Sequence, residues 1–329
     1  MVLNTEVTLD IMDNFKKSYI KPLYTKDMSE YGQICCIEVS QFDWSQDVIL
    51  LGFVNKILLG YLKFTDIVEV EIISEFPFPC RCSCLSISME TNISALPSVV
   101  LFCAAGTDFK IRVIQTDLSD DSSCKVLTGH SDYINDVKFD SENKYLASVS
   151  DDNTVRIWEV ENYRCINILH LNFPGLSIQW HRNDVSKFLV ADKVGMIKLY
   201  HMETLKPVIT IDTGKTLSAC HWSPSNSQMV ASLQLGELSV WDMSVPSTPK
   251  LSTLIFTEAG GYLKFCPQGE FVAALNPLER NLKVVKLNSQ EQQFSTFMKL
   301  PTNFCWHFKY PIICAGDDNK LCVWKINTV

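Results

Sequence analysis

Gly129-His130, Ser148, Asp152 and Trp158 are the residues whose types and spacing could do chemistry together. His130 stands 28 residues before Trp158, and Asp152 six before it. A serine, a histidine and an aspartate suit nucleophilic catalysis, in which imidazole takes the hydroxyl proton and the carboxylate orients the ring. That chemistry also needs an exposed nucleophile and donors for an oxyanion, and no Gly-x-Ser-x-Gly elbow occurs. The trio is expected to be a buried polar set. A buried carboxylate and imidazole need partners, and a tight turn favours Asp.

Cysteine and histidine clusters are the next candidates. Cys80-x-Cys82-x-Cys84, read as a strand, would put all three thiols on one face. Zinc sites space their cysteines differently and add a distant second pair, so thiols without metal are expected. Cys220-His221-Trp222 and Cys305-Trp306-His307 each read as a strand in which His and Trp alternate across a sheet, a structural pattern. The 13 glycines are dispersed and form no Gly-x-x-x-x-Gly-Lys-Ser/Thr phosphate loop. No catalytic residue, metal ligand, cofactor or small-molecule substrate is expected.

The elements that carry these residues must be β-strands. With 329 residues, 47% hydrophobic and 20% charged, the chain is ordinary for a globular protein. Acids outnumber bases 37 to 29, for a net charge of −8, which argues against nucleic-acid binding. Lys16-Lys17 is the only adjacent basic pair, so direct membrane binding through a polybasic run is not expected. The longest apolar stretch, Val48–Leu62, is 15 residues and is broken by Asn55-Lys56, short of the roughly 20 that a spanning helix needs. The acids Glu6, Asp10 and Asp13 near the start leave no signal-peptide core. The 13 cysteines, an odd number spread from Cys35 to Cys322, read as reduced thiols.

A repeat organises the whole chain. Short β-type runs end at Ile114, Trp158, Tyr200, Trp241, Val285 and Trp324, at spacings of 44, 42, 41, 44 and 39. An earlier copy, Asn55–Gly60, makes seven. A period of about 40–45 residues marks propeller blades of four strands. In the clearest copy the strands are Tyr133–Asp140, Tyr145–Ser150, Thr154–Val160 and Cys165–Leu171. The fold class is therefore an all-β, seven-bladed propeller, one domain over 18–329 after a flexible N-terminal leader, 1–17. Only three residues follow the last third strand, so the ring must close with a strand from the N-terminal side. Ser18–Thr25 is the candidate and Glu6–Ile11 the runner-up, because Pro22 lacks a donor and fits only an edge. The first blade begins near Gln33–Val39. A long loop is expected within Phe76–Ser98, together with a strand, and a second loop, acidic and small, at Thr116–Ser123.

Gly129-His130 followed by Trp158-Glu159 resembles the WD-repeat family, whose blades carry a hydrogen-bonded tetrad. The resemblance implies that His130, Ser148, Asp152 and Trp158 are that tetrad. Trp241-Asp242 is the one literal Trp-Asp pair, without a Gly-His before it. A narrower resemblance rests on Ala104–Asp140, Ala147–Trp158, Phe173–His181 and Cys305–Trp324. Together these segments resemble the small WD-repeat nucleoporins of the Y-shaped outer-ring complex of the nuclear pore, a family close in mass to this chain's 37.3 kDa.

That resemblance implies a structural scaffold without enzymatic activity or cofactor, at the nuclear envelope in pore assembly and nucleocytoplasmic transport of protein and mRNA. It implies outer-ring subunits as partners, chiefly the large 160-kDa nucleoporin, and a place at the kinetochore in mitosis. It assigns no residue to partner binding. The alternative is a WD-repeat adaptor of a ubiquitin ligase or chromatin complex. Ligase receptors carry Trp-Asp-x-Arg, whereas Trp241 is followed by Asp242-Met243-Ser244 and Trp158 by Glu159-Val160-Glu161.

Overall fold

The computed structural model describes residues 20–64, 68–119 and 122–327. Among them, seven sheets of four antiparallel strands stand side by side as a seven-bladed propeller. Blades 1 to 6 take residues 36–77, 82–127, 134–170, 175–212, 217–254 and 262–297. Blade 7 takes 301–325 and completes itself with Tyr24–Asp27. The one helical element among the described residues is the short 3-10 turn Asp43–Ser45.

Each copy of the sequence repeat lies on the third strand of a blade: Lys56–Phe64, Ile111–Thr116, Thr154–Glu159, Met196–His201, Glu237–Asp242, Asn281–Lys286 and Lys320–Lys325. These strands are apolar on both faces because blades stack. In blade 3, Val155 and Ile157 pack against blade 4 with Ile178 and Phe188, while Trp158 packs against blade 2 with Leu101 and Val113. The core is thus seven seams, one between each pair of neighbouring blades. A lone blade would leave both faces wet; stacking and closure cover them.

The ring closes through an antiparallel ladder that pairs Tyr24 with Val323 and Asp27 with Lys320. Main-chain bonds from Leu23 N to Val323 O and from Met28 N to Asn319 O extend it, both at 2.8 Å. The closing strand therefore lies later than the expected Ser18–Thr25 and shares only Tyr24 and Thr25 with it. Pro22, which cannot donate, stays outside the ladder. The runner-up Glu6–Ile11 and the leader 1–17 fall outside the described residues.

Blade 1 differs from the others in its third and outer strands. Lys56–Phe64 and Val68–Pro77 are nine and ten residues long, against six in blades 2 to 6. The extra length folds over the closing seam, with Phe64 edge-on to His307 at 5.0 Å and to Tyr310 at 5.2 Å. Lys26 of the closing strand also donates to Val70 O at 2.8 Å. The proline-rich stretch after blade 1 holds the expected strand, Cys82–Ile87, followed by a loop with a single bridge between Asn92 and Val99. In the acidic stretch, Thr116 ends one strand and Ser122 opens the next.

Candidate functional site

Two constellations could carry function: the polar set inside blade 3 and the side chains lining the propeller axis. In blade 3 the chain turns in from blade 2 at Gly129, whose φ of +155° suits glycine and where a Cβ would lie 2.5 Å from the Arg156 guanidinium. The turn drops His130 into the blade. Its Nε2 meets Ser148 Oγ and its Nδ1 meets Asp152 Oδ2, each at 2.8 Å. Trp158 Nε1 donates to the same Ser148 Oγ at 3.0 Å.

These bonds fix the proton positions. Ser148 Oγ accepts from the indole, so its own proton goes to His130 Nε2, and His130 Nδ1–H donates to Asp152. Asp152 also accepts the Ser131 and Thr154 N–H groups at 3.0 and 2.9 Å and the Thr154 hydroxyl at 2.6 Å. Burial opposes the Asp152 charge, yet the hydrogen bonds from Thr154, His130 and Ser131 outweigh it and hold the carboxyl below its ordinary range. Burial pushes the His130 imidazole down, against the pull of Asp152, which favours the neutral ring.

This is the proton order of a catalytic triad, but the nucleophile is sealed. Ser148 is 0% exposed and its oxygen is held between indole and imidazole. A substrate carbonyl has no approach to it. Blade 5 keeps half of the arrangement: Trp241 Nε1 donates to Ser232 Oγ at 2.9 Å, with the Gln234 amide donating to the same oxygen at 2.8 Å where blade 3 has His. Sequence reasoning took the other copies to have lost the tetrad and missed this remnant. The serine nine residues before Trp241 was its signal. In blade 7, Trp324 Nε1 donates to Ile20 O at 2.9 Å, tying the residue that leads into the closing strand.

The cysteine triplet does not share a face. A bulge between Cys82 and Cys84 breaks the period of two. Cys82 packs toward blade 1, with Cys80 beside that seam, and Cys84 packs toward blade 3. Cys82 Sγ lies 3.4 Å from Cys36 Sγ, and all 13 cysteines are free thiols. Burial raises the Cys82 and Cys84 thiols well above their ordinary values, with neighbouring thiols raising Cys82 further and Asp136 raising Cys84.

The axial cavity, about 620 Å³, is lined by the inner strands. One layer of it takes a residue from each blade: Glu38, Ser86, Lys138, Gln179, His221, Lys264 and Cys305. Each stands just before the large apolar residue near the inner strand's end (Val39, Ile87, Phe139, Trp180, Trp222, Phe265, Trp306). Trp180 and Trp306 use their indole N–H to bind Lys138 O and Lys264 O of the preceding blade, both at 3.0 Å, which locks this register.

Within the layer Glu38 bridges two lysines: Lys138 Nζ to Oε1 at 2.9 Å and Lys264 Nζ to Oε2 at 3.1 Å. Asp136 lies 4.0 Å from Lys138. Burial opposes the Glu38 charge, and the two ammonium groups outweigh it and bring its carboxyl down to about 2. Burial and the same lysines bring His221 down to about 3. Its Nδ1 accepts Phe265 N–H at 3.3 Å. Sequence reasoning singled out His221 and Cys305 as structural and missed the layer. Its signal was a polar residue ahead of each blade's Trp, Phe, Ile or Val. His307, outside the layer, meets Asp47 Oδ1 at 3.0 Å through Nε2 in the blade 1–7 seam.

Among known families, the model for the WD domain, G-beta repeat, matches residues 121–159, which contain the blade 3 tetrad. Three nucleoporins are similar over nearly the whole length. Nucleoporin Nup37 of Mus musculus is 29% identical over 92% of this chain and 96% of its own. Nucleoporin Nup37 of Drosophila melanogaster is 28% identical over 94% and 99%. Nucleoporin Nup37 of Homo sapiens is 27% identical over 92% and 96%. The chain is thus a WD-repeat propeller, and its resemblance to the small WD-repeat nucleoporins extends well beyond the segments that first carried it.

Proposed function

We propose that this chain is a non-enzymatic scaffold subunit of the nuclear pore, acting in the outer-ring complex through protein–protein contacts. The observation that carries this reading is the similarity to three nucleoporins over 92–94% of the chain. The geometry supports it. The one triad-like set has a sealed serine, and the tetrad His130, Ser148, Asp152 and Trp158 serves to pin blade 3 together. A closed propeller is a rigid disc whose loops and rims can meet several neighbours at once. The chief partner in this reading is the large 160-kDa nucleoporin of the same complex. The protein is expected at the nuclear envelope, with a second place at the kinetochore in mitosis. In this reading the described residues form one folded domain.

The rival adaptor reading lacks the arginine that ligase receptors place after Trp-Asp, since Ser244 stands there. Capture under native conditions separates the two. Outer-ring nucleoporins in stoichiometric amounts support the proposal. Ligase or chromatin subunits in their place would overturn it.

A further inference from the structure

We infer that the propeller's axis is barred at two levels, by a Glu38–Lys138–Lys264 hub and by an Arg182–Phe308 latch, so that partners meet the faces and rims and none threads the channel.

The hub joins blades that do not touch. Glu38 belongs to blade 1, Lys138 to blade 3 and Lys264 to blade 6. With blade 2 between the first two and blade 7 between the first and last, contacts of 2.9 and 3.1 Å can form only across the channel. Both carboxylate oxygens are taken, one by each ammonium. Lys264 Nζ lies 3.5 Å from Cys305 Sγ on blade 7, and Lys138 Nζ lies 3.5 Å from Leu85 O on blade 2. Five blades are thereby drawn to one point. The charges are paired and half-buried within the cavity, an arrangement that resists opening because a lone partner would be left uncompensated.

The latch is independent of the hub. Arg182 follows the inner strand of blade 4, and its guanidinium sits 5.4 Å from the Phe308 ring, which follows the inner strand of blade 7. Blades 5 and 6 separate these two, so this contact also spans the axis, at the mouth where the inner strands end. Arg182 is steadied by Pro224 O of the blade 5 loop at 3.2 Å, and the Phe308 loop by the Gln268 amide, which donates to Phe308 O at 2.8 Å. A cation over an aromatic face is attractive at such a distance. An extended peptide inserted along the axis would have to break both crossings. The claim stands or falls separately from the nuclear-pore reading.

Per-cysteine alkylation of the native protein with N-ethylmaleimide and with a maleimide carrying a bulky polymer tests it. Cys305 faces the axial cavity beside the hub, at the inner edge of the blade 1–7 seam, Cys314 is sealed further within the same seam, and Cys124 is exposed. The wild-type protein should react quickly at Cys124 and resist the bulky reagent at Cys305. The near-isosteric Glu38→Gln, which removes the charge, combined with Arg182→Ala, should speed Cys305 labelling by about tenfold or more and leave Cys314 unchanged, since local opening and global unfolding expose different sites. Arg182→Ala alone, at the partly exposed mouth, keeps the test usable should the double variant fold poorly. It is expected to raise bulky labelling at Cys305 by a smaller factor. Wild-type Cys305 as reactive as Cys124, or variants that speed Cys305 and Cys314 equally or neither, would overturn the barred axis.

Discussion

Ser148 carries a double duty: its oxygen accepts from Trp158 and its proton goes to His130. Removing it leaves two buried nitrogens without partners, and removing the Asp152 carboxylate strands His130, Ser131 and Thr154 together. Ser148→Ala and Asp152→Ala should each lower stability by about 1–3 kcal/mol, the cost of unpaired buried groups, read by chemical denaturation. Capture of the partner should be retained, whereas lost capture at unchanged stability would make the set a functional site. The axial layer adds a pH dependence. His221, held neutral down to about 3 against an ordinary 6.5, must take a proton when the chain unfolds in mild acid. The unfolded state then binds more protons, so stability rises with pH between about 3 and 6.5. Glu38, lowered to about 2 from 4.5 beside Lys138 and Lys264, adds stability above 4.5 that is lost as pH falls toward 2. Melting curves of His221→Gln should therefore flatten between pH 6.5 and 4.5 relative to the wild type, and a parallel slope would refute the assignment.

At the scale of elements, the closing strand is the ring's most exposed dependency. Tyr24–Asp27 supplies a four-residue ladder and anchors Ile20, whose carbonyl receives the Trp324 indole. Deleting residues 1–27 should leave Lys320–Lys325 as a bare edge and lower the melting temperature by about 10 °C or cause aggregation, since unpaired edges recruit other chains. Third strands were legible in the sequence because each ends a run of apolar residues at a repeated interval. Blade 3 was legible almost strand by strand, since Ser141–Asn143 and Asp151–Asn153 punctuate it. The closing strand was less so. Three of its four residues, Tyr-Thr-Lys-Asp, are polar and the segment carries no repeat of its own, and only the register with Val323 and Lys320 selects it. The cysteine triplet misled for a similar reason. A bulge is a tertiary feature, and period-two reasoning cannot see where the count slips.

Across the described residues, apolar burial lies in seven seams and a half-buried cluster of charge lies at the axis, in place of a single core. The tetrad could be read from residue types at fixed spacing. The axial layer could not be read that way, because Glu38, Lys138 and Lys264 are 100 and 126 residues apart in sequence and meet only when the ring closes. The function proposed for the disc rests on what its outer surface contacts. Docking should bury roughly 1,200 Å² or more in total for a stable complex. The most direct test is to tag the protein in cells and image it with and without depletion of the large outer-ring nucleoporin. The account predicts a punctate nuclear rim that disappears on depletion. A diffuse cytosolic signal, or a rim that survives the depletion, would contradict it.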